Sequence, residues 1–181
     1  MRVVNFSDRP PRLFSRLVLR AAVLLVLALH PAAGTAAGSE GFLLGKTRAS
    51  AILGISPEWQ RRYEEYVPAA ADIQTVRQAP DGSLVTVYFG SWCSDSRLAV
   101  PHFLRILDEA NAPHLKARYV GVDRTKKEPA RRLEGVGLDL VPTFVVSRHG
   151  QEVGRIVETP ATTLEHDLAL LFRKAAASPA P

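Results

Sequence analysis

The residue with most chemical potential is Cys93, the single cysteine of the chain, in the run Gly90-Ser-Trp-Cys-Ser-Asp-Ser96. The run separates an apolar stretch with strand character from an amphipathic stretch with helical spacing. A thiol at a helix N-terminus meets unpaired backbone N–H groups and the positive end of the helix dipole. Both favour the thiolate, which is the nucleophilic form. Read as packing alone, the same residue is a small buried side chain that precedes a helix. The helix end is worth roughly 0.3–2 kcal/mol toward the thiolate. The Asp95 carboxylate, at about 5 Å in a medium of dielectric ~20–80, costs about 0.8–3 kcal/mol. Arg97 and the Ser96 hydroxyl act against Asp95 by charge and by hydrogen bonding. These terms are of one size, so the residue types leave the sign open.

Other reactive side chains are less well placed. His102 lies nine residues beyond Cys93 on the same helical stretch, too far along for a simple Cys–His dyad, and reads as a helix-face histidine. No His, Cys and Asp cluster has metal-ligand spacing, so no metal is expected. Arg124, Lys126, Lys127, Arg131 and Arg132 form a basic patch interrupted by Asp123 and Glu128. Its ordinary reading is a solvated face, and its functional reading is a docking site for glutathione carboxylates or an acidic partner.

The elements that must position Cys93 follow from the hydrophobic pattern. Leu84 to Phe89 is β-branched and aromatic, a buried strand. Ser96 to Ala110 is helical, with Ala99, Phe103, Ile106, Leu107 and Ala110 on one face. Leu115 to Val122 is the next strand, and Glu128 to Glu134 a short polar helix ending at Gly135. Thr143 to Ser147 and Glu152 to Val157 form a hairpin around Arg148-His-Gly-Gln151. Thr162 and Glu165 fit a capping box for a last helix striped by Leu164, Leu168, Leu171 and Ala175. Upstream, Ser56-Pro57-Glu58 starts a helix whose apolar face is Trp59, Tyr63, Tyr66 and Val67, followed by a second from Ala69 to Gln78. Ser39 to Ile55 reads as a flexible lead-in. The βαβ half gives a parallel pair through a right-handed crossover, and the hairpin adds antiparallel strands. The expected class is α/β, a central four-stranded mixed sheet flanked by helices, with an N-terminal helical extension.

On these residues the chain resembles the thioredoxin superfamily. Trp92-Cys93 followed by Ser94, Asp95 and Ser96 matches the Trp-Cys-x-x-Cys signature, with Ser96 in the second cysteine's place. Pro101 sits where the family kinks its active-site helix, and Val141-Pro142-Thr143 opens a strand as the family's cis-proline does. His149-Gly150-Gln151 occupies a turn that is often Asn-Gly-Glu. The resemblance spans residues 80–175 and implies thiol-disulfide oxidoreductase or isomerase chemistry at Cys93. It implies Trp92 as a wall of the site and Val141, before Pro142, as the residue whose backbone pairs with substrate. Two departures qualify it. Ser96 cannot resolve a mixed disulfide, so release needs an outside thiol such as glutathione, or a second thiol on the substrate. Val87 stands where thioredoxins commonly keep a buried Asp that serves the resolving step. Mixed-disulfide exchange, isomerisation or deglutathionylation is therefore expected, with protein or small-molecule thiols and disulfides as partners. The competing function is a catalytically degenerate module that keeps the groove for peptide or protein partners. A monothiol iron–sulfur carrier is disfavoured by the N-terminal leader.

That leader shapes the bulk properties. The chain has 181 residues, 46% apolar and 23% charged, which suits one domain with appendages. Arg2, Arg9, Arg12, Arg16 and Arg20 precede an apolar run from Ala21 to Leu29. Small residues from Pro31 to Gly38 follow. This is the three-part order of a secretory signal peptide, and the apolar run is too short for a membrane anchor. A periplasmic or secreted location is expected. Residues 1–37 hold +4 of the net +5 charge, so the basic pI is a targeting feature and gives no support for nucleic-acid binding. The reading is thus a leader over 1–37, a linker and helical extension over 38–79, a thioredoxin-like domain over 80–177 and a disordered tail over 178–181. A monomer with no resident cofactor is expected.

Overall fold

The computed structural model describes residues 42–177. The expectations for the leader and for the tail at 178–181 lie outside the described residues.

The central strand is β2 (Ser83–Phe89), whose residues other than Leu84 are buried. A strand covered on both faces needs a continuous apolar run, and Leu-Val-Thr-Val-Tyr-Phe supplies one. It pairs in parallel with β3 (Lys116–Gly121), from Leu84 opposite Lys116 to Phe89 opposite Gly121. On its other side it pairs antiparallel with β4 (Thr143–Arg148), which turns into β5 (Gln151–Val157). His149 and Gly150 form the two-residue turn with φ of 50° and 85°, the left-handed pair that a tight hairpin requires. The four expected strands are joined by a fifth, β1 (Gly45–Thr47), and the sheet order is β1-β3-β2-β4-β5.

β1 lies in the segment read as a flexible lead-in, which also holds the helical turn α1 (Ala49–Leu53). Three residues are too few to show alternation, so the strand is visible only through its partner. Gly121 makes the pairing feasible: a Cβ there would lie 2.2 Å from the Leu43 carbonyl oxygen.

One sheet face carries the larger core. Val85, Val87, Phe89, Tyr119, Phe144 and Val146 meet α4 (Ser94–Ala110) and α6 (Leu164–Ala177), together with Trp59 of α2 (Pro57–Glu65) and Val76 of α3 (Ala70–Arg77). α2 packs on α4, and α3 on α6 and α4, so the N-terminal helices share this core. Val67, expected on the apolar face of α2, is 86% exposed because the helix stops at Glu65. At the start of α6 the cap is Thr163, whose hydroxyl accepts from the His166 N–H at 3.3 Å. The expected Thr162–Glu165 box does not form, because Glu165 turns inward to the Tyr66 hydroxyl and the Ala69 N–H. The opposite sheet face is thinner: Tyr88, Val120, Val122 and Val141 pack with Trp92, Cys93 and Leu133 of the short α5 (Ala130–Leu133).

Candidate active site

β2 and β3 run parallel and end at the same edge, where the loops after them emerge together. The Val122 N–H donates to the Phe89 carbonyl at 2.8 Å and ties the two exits. β4 runs the other way, so its entrance, Val141-Pro142, reaches the same edge. In α/β sheets this carboxyl end of the parallel strands is where ligands bind.

The loop Gly90–Cys93 is closed by a Cys93 N–H bond to the Gly90 carbonyl at 3.0 Å. A Cβ on Gly90 would sit 2.5 Å from Trp92 Cε2, so a larger residue there would displace the indole. The indole lies against this glycine and donates from Nε1 to the Val122 carbonyl at 3.0 Å. Ser96 is fully buried, and its hydroxyl accepts from the Gly90 N–H at 3.2 Å. The residue at the resolving position thus pegs the loop to the first turn of α4.

Cys93 is the N-cap residue of α4 and is half-buried. Its Sγ donates to the Val141 carbonyl at 3.2 Å and stands 3.9 Å from Asp95 Oδ2. Val141-Pro142 is a cis peptide, and both residues are buried. Trp92, Cys93, Asp95, Ser96, Val141 and Pro142 are therefore gathered at one place. Ser94 begins the helix and is exposed.

Arg97 departs from the expected loop role. Its guanidinium bonds Glu58 Oε2 at 3.2 Å on α2, and Arg62 holds the same carboxylate from 2.8 Å. The Arg62 and Arg97 hydrogen bonds outweigh burial and keep the Glu58 carboxyl below its ordinary range. His102 stacks on Tyr66, ring centroids 3.8 Å apart, and burial with the nearby Arg62 charge pushes its pKa down to about 4. Val87 is fully buried among the larger-core residues.

Two partners of the indole come from the loop after β3: the Val122 carbonyl, which no pattern in the sequence marks, and Arg124, whose guanidinium carbon lies 5.1 Å from the Trp92 ring centroid. In the sequence Arg124 is one charge in a basic run, with nothing to tie it to Trp92. Leu140 is exposed beside Val141 and carries no sequence signal of its own. Among the described residues no group of three or more His, Cys, Asp and Glu side chains could hold a metal ion. None of the described helices is long and apolar enough to cross a membrane.

A family model described as thioredoxin matches residues 55–169, a span that takes in α2 and α3 as well as the sheet. An H-type thioredoxin from Fagopyrum esculentum is 31% identical over 90 residues, which is 49% of this chain and 72% of that protein. Among solved structures, a Pseudomonas aeruginosa protein of unknown function superposes with a TM-score of 0.55 at 15% identity. It covers 72% of this chain and 92% of its own. An HIV epitope-scaffold gives 0.56 at 14% identity, over 74% and 94% of the two chains. The two structural likenesses bear on the fold.

Proposed function

Because the chain belongs to the thioredoxin family, with one cysteine where the family signature has two, we propose that it is an extracytoplasmic monothiol protein forming reversible mixed disulfides through Cys93. The observation that carries this reading is the address of the sulfur. It is half-buried at the carboxyl edge of the sheet, at an N-cap, and 3.2 Å from the carbonyl that precedes Pro142.

The chemistry balances without a further oxidant. The Cys93 sulfur, once deprotonated, attacks one sulfur of a partner disulfide. The partner's S–S bond breaks as a new one forms to Cys93, and the departing thiolate keeps the bonding pair and takes up a proton. Release is the same step in reverse direction, with a thiol from solution or from the substrate attacking the mixed disulfide. Glutathione is one thiol able to serve. A substrate strand laid along Val141-Pro142 would compete for the carbonyl that the thiol now uses, which couples docking to release of the sulfur. The apolar run preceded by arginines within residues 1–37 supports an extracytoplasmic address.

Incubation with glutathione disulfide followed by intact mass tests the proposal. A single adduct is expected on the protein and none on Cys93→Ser. Absence of the adduct, or formation no faster than with free cysteine, overturns it.

Ser96 and Val87 favour a second reading, a binding module without exchange chemistry. Ser96 is committed to the Gly90 N–H and Val87 to the core, so the resolving apparatus is replaced by packing. Partner capture retained in full by Cys93→Ser favours the module, and capture lost with the sulfur favours covalent exchange.

A further inference from the structure

Resting on that exchange chemistry, we propose that the Cys93 site prefers disulfides whose substituents carry carboxylates, selected by a cationic rim on the loop after β3. The loop is built by its own carboxylate. Asp123 accepts from the N–H groups of Thr125, Lys127 and Glu128 at 2.9–3.1 Å and from the Thr125 hydroxyl. The Thr125 hydroxyl and the Glu128 N–H bonds hold its carboxyl down at about 2. With the acid turned onto the backbone, the loop presents Arg124, Lys126 and Lys127 around it.

Three observations bring this rim to the thiol. The Val122–Phe89 bond sets the two loops side by side at the ligand-binding edge. Arg124 lies over the Trp92 ring, beside Cys93 in sequence and packed in the same cluster. Leu133, in that cluster as well, anchors α5, which carries Arg131 and Arg132 on its exposed surface.

The state of these cations points to a partner. Arg62, Arg97, Arg105 and Arg155 are each engaged by a carboxylate of this chain. None of Arg124, Lys126, Lys127, Arg131 and Arg132 forms an ion pair among the described residues. Five cations stand against Asp123, Glu128 and Glu134 over residues 123–134, so the rim is net positive. Asp95 is the opposing charge at the sulfur itself, 3.9 Å away. It disfavours an anion directly on the sulfur, whereas the rim favours anions set a few bonds from the reacting disulfide. A γ-glutamyl tripeptide or an Asp-flanked cysteine peptide has that layout.

The test compares second-order rates of adduct formation with glutathione disulfide, neutral hydroxyethyl disulfide and cationic cystamine. Intact mass is read at low and high salt. Each rate is divided by that of free cysteine with the same reagent, which removes the reagents' own reactivity. A normalised glutathione-to-hydroxyethyl ratio of about tenfold is expected at ~20 mM salt, collapsing toward one at ~500 mM, with cystamine slowest. Arg124→Gln and the double change Arg131→Gln/Arg132→Gln should each lower the ratio two- to threefold. The second variant touches neither Trp92 nor Cys93. A disulfide of an Asp-flanked cysteine peptide, run beside glutathione disulfide, shows which source of carboxylate the rim prefers. A ratio near one in the unmodified protein, or one that salt and both variants leave unchanged, overturns the selectivity. Failure of all the disulfides to form an adduct overturns instead the exchange chemistry on which it rests.

Discussion

Asp95 Oδ2 lies 3.9 Å from the Cys93 sulfur, so a like charge faces any thiolate formed there, while Arg97 is drawn away to Glu58. At that distance, even with water-like screening, two unit charges repel by about 1 kcal/mol. Asp95→Asn is therefore expected to speed alkylation of Cys93 by iodoacetamide at neutral pH by about two- to fivefold. An unchanged rate would mean that solvent screens the pair and that Asp95 has no hold on the sulfur. Residue types alone place both charges near Cys93, and the fold is what pairs Arg97 with Glu58.

At the scale of elements, the site depends on close approaches that glycine permits. Gly121 lets β1 lie against β3, and the next residue, Val122, supplies both the tie to β2 and the acceptor for the Trp92 indole. Gly121→Ala would drive a methyl group into the Leu43 carbonyl, so β1 should lift from the sheet. Hydrogen exchange over residues 43–47 is expected to accelerate at least tenfold. The melting temperature should fall with it, by an amount corresponding to about 1–3 kcal/mol. Protection unchanged in that segment would show that the β1 pairing is weaker than its register suggests. The edge strand was illegible in the sequence because three residues carry no period, whereas β2 was legible from its six-residue apolar run.

At the scale of the whole molecule, acid should act in two stages. His102 stacks on Tyr66, faces Arg62 and Glu165, and its pKa is pushed down from 6.5 to about 4, chiefly through burial. Between those values the unfolded chain holds the extra proton, so stability falls as the pH drops through this window and the ring's effect is complete below it. The second stage comes from carboxylates. In Glu165 burial is outweighed by bonds from Tyr66 and Ala69, and Arg62 and Arg155 hold Glu58 and Glu152. Bonds within the loop bring Asp123 down to about 2. All four contribute fully above about 4.5 and are lost as the pH falls through their folded values. Thermal melts of His102→Gln across pH 7 to 3 are expected to flatten the upper stage and leave the lower one. An upper stage that survives in the variant would place the acid-sensitive group elsewhere.

The sequence by itself determined the α/β class and the parallel and antiparallel pairings. It also determined the place of Cys93 at a strand-to-helix junction and the loss of a second thiol at Ser96. These are local matters, since apolar periodicity, turn residues and motif spacing lie within short windows of chain. The tertiary structure alone decided what Cys93 and its neighbours touch. It set the thiol on the Val141 carbonyl, Ser96 on the Gly90 N–H, Arg97 on Glu58 and Arg124 over Trp92. Each of those partners is distant in sequence or fixed by the direction of a side chain. A hydrogen bond is chosen by which groups the packing brings within about 3 Å, and no period in the sequence encodes that distance.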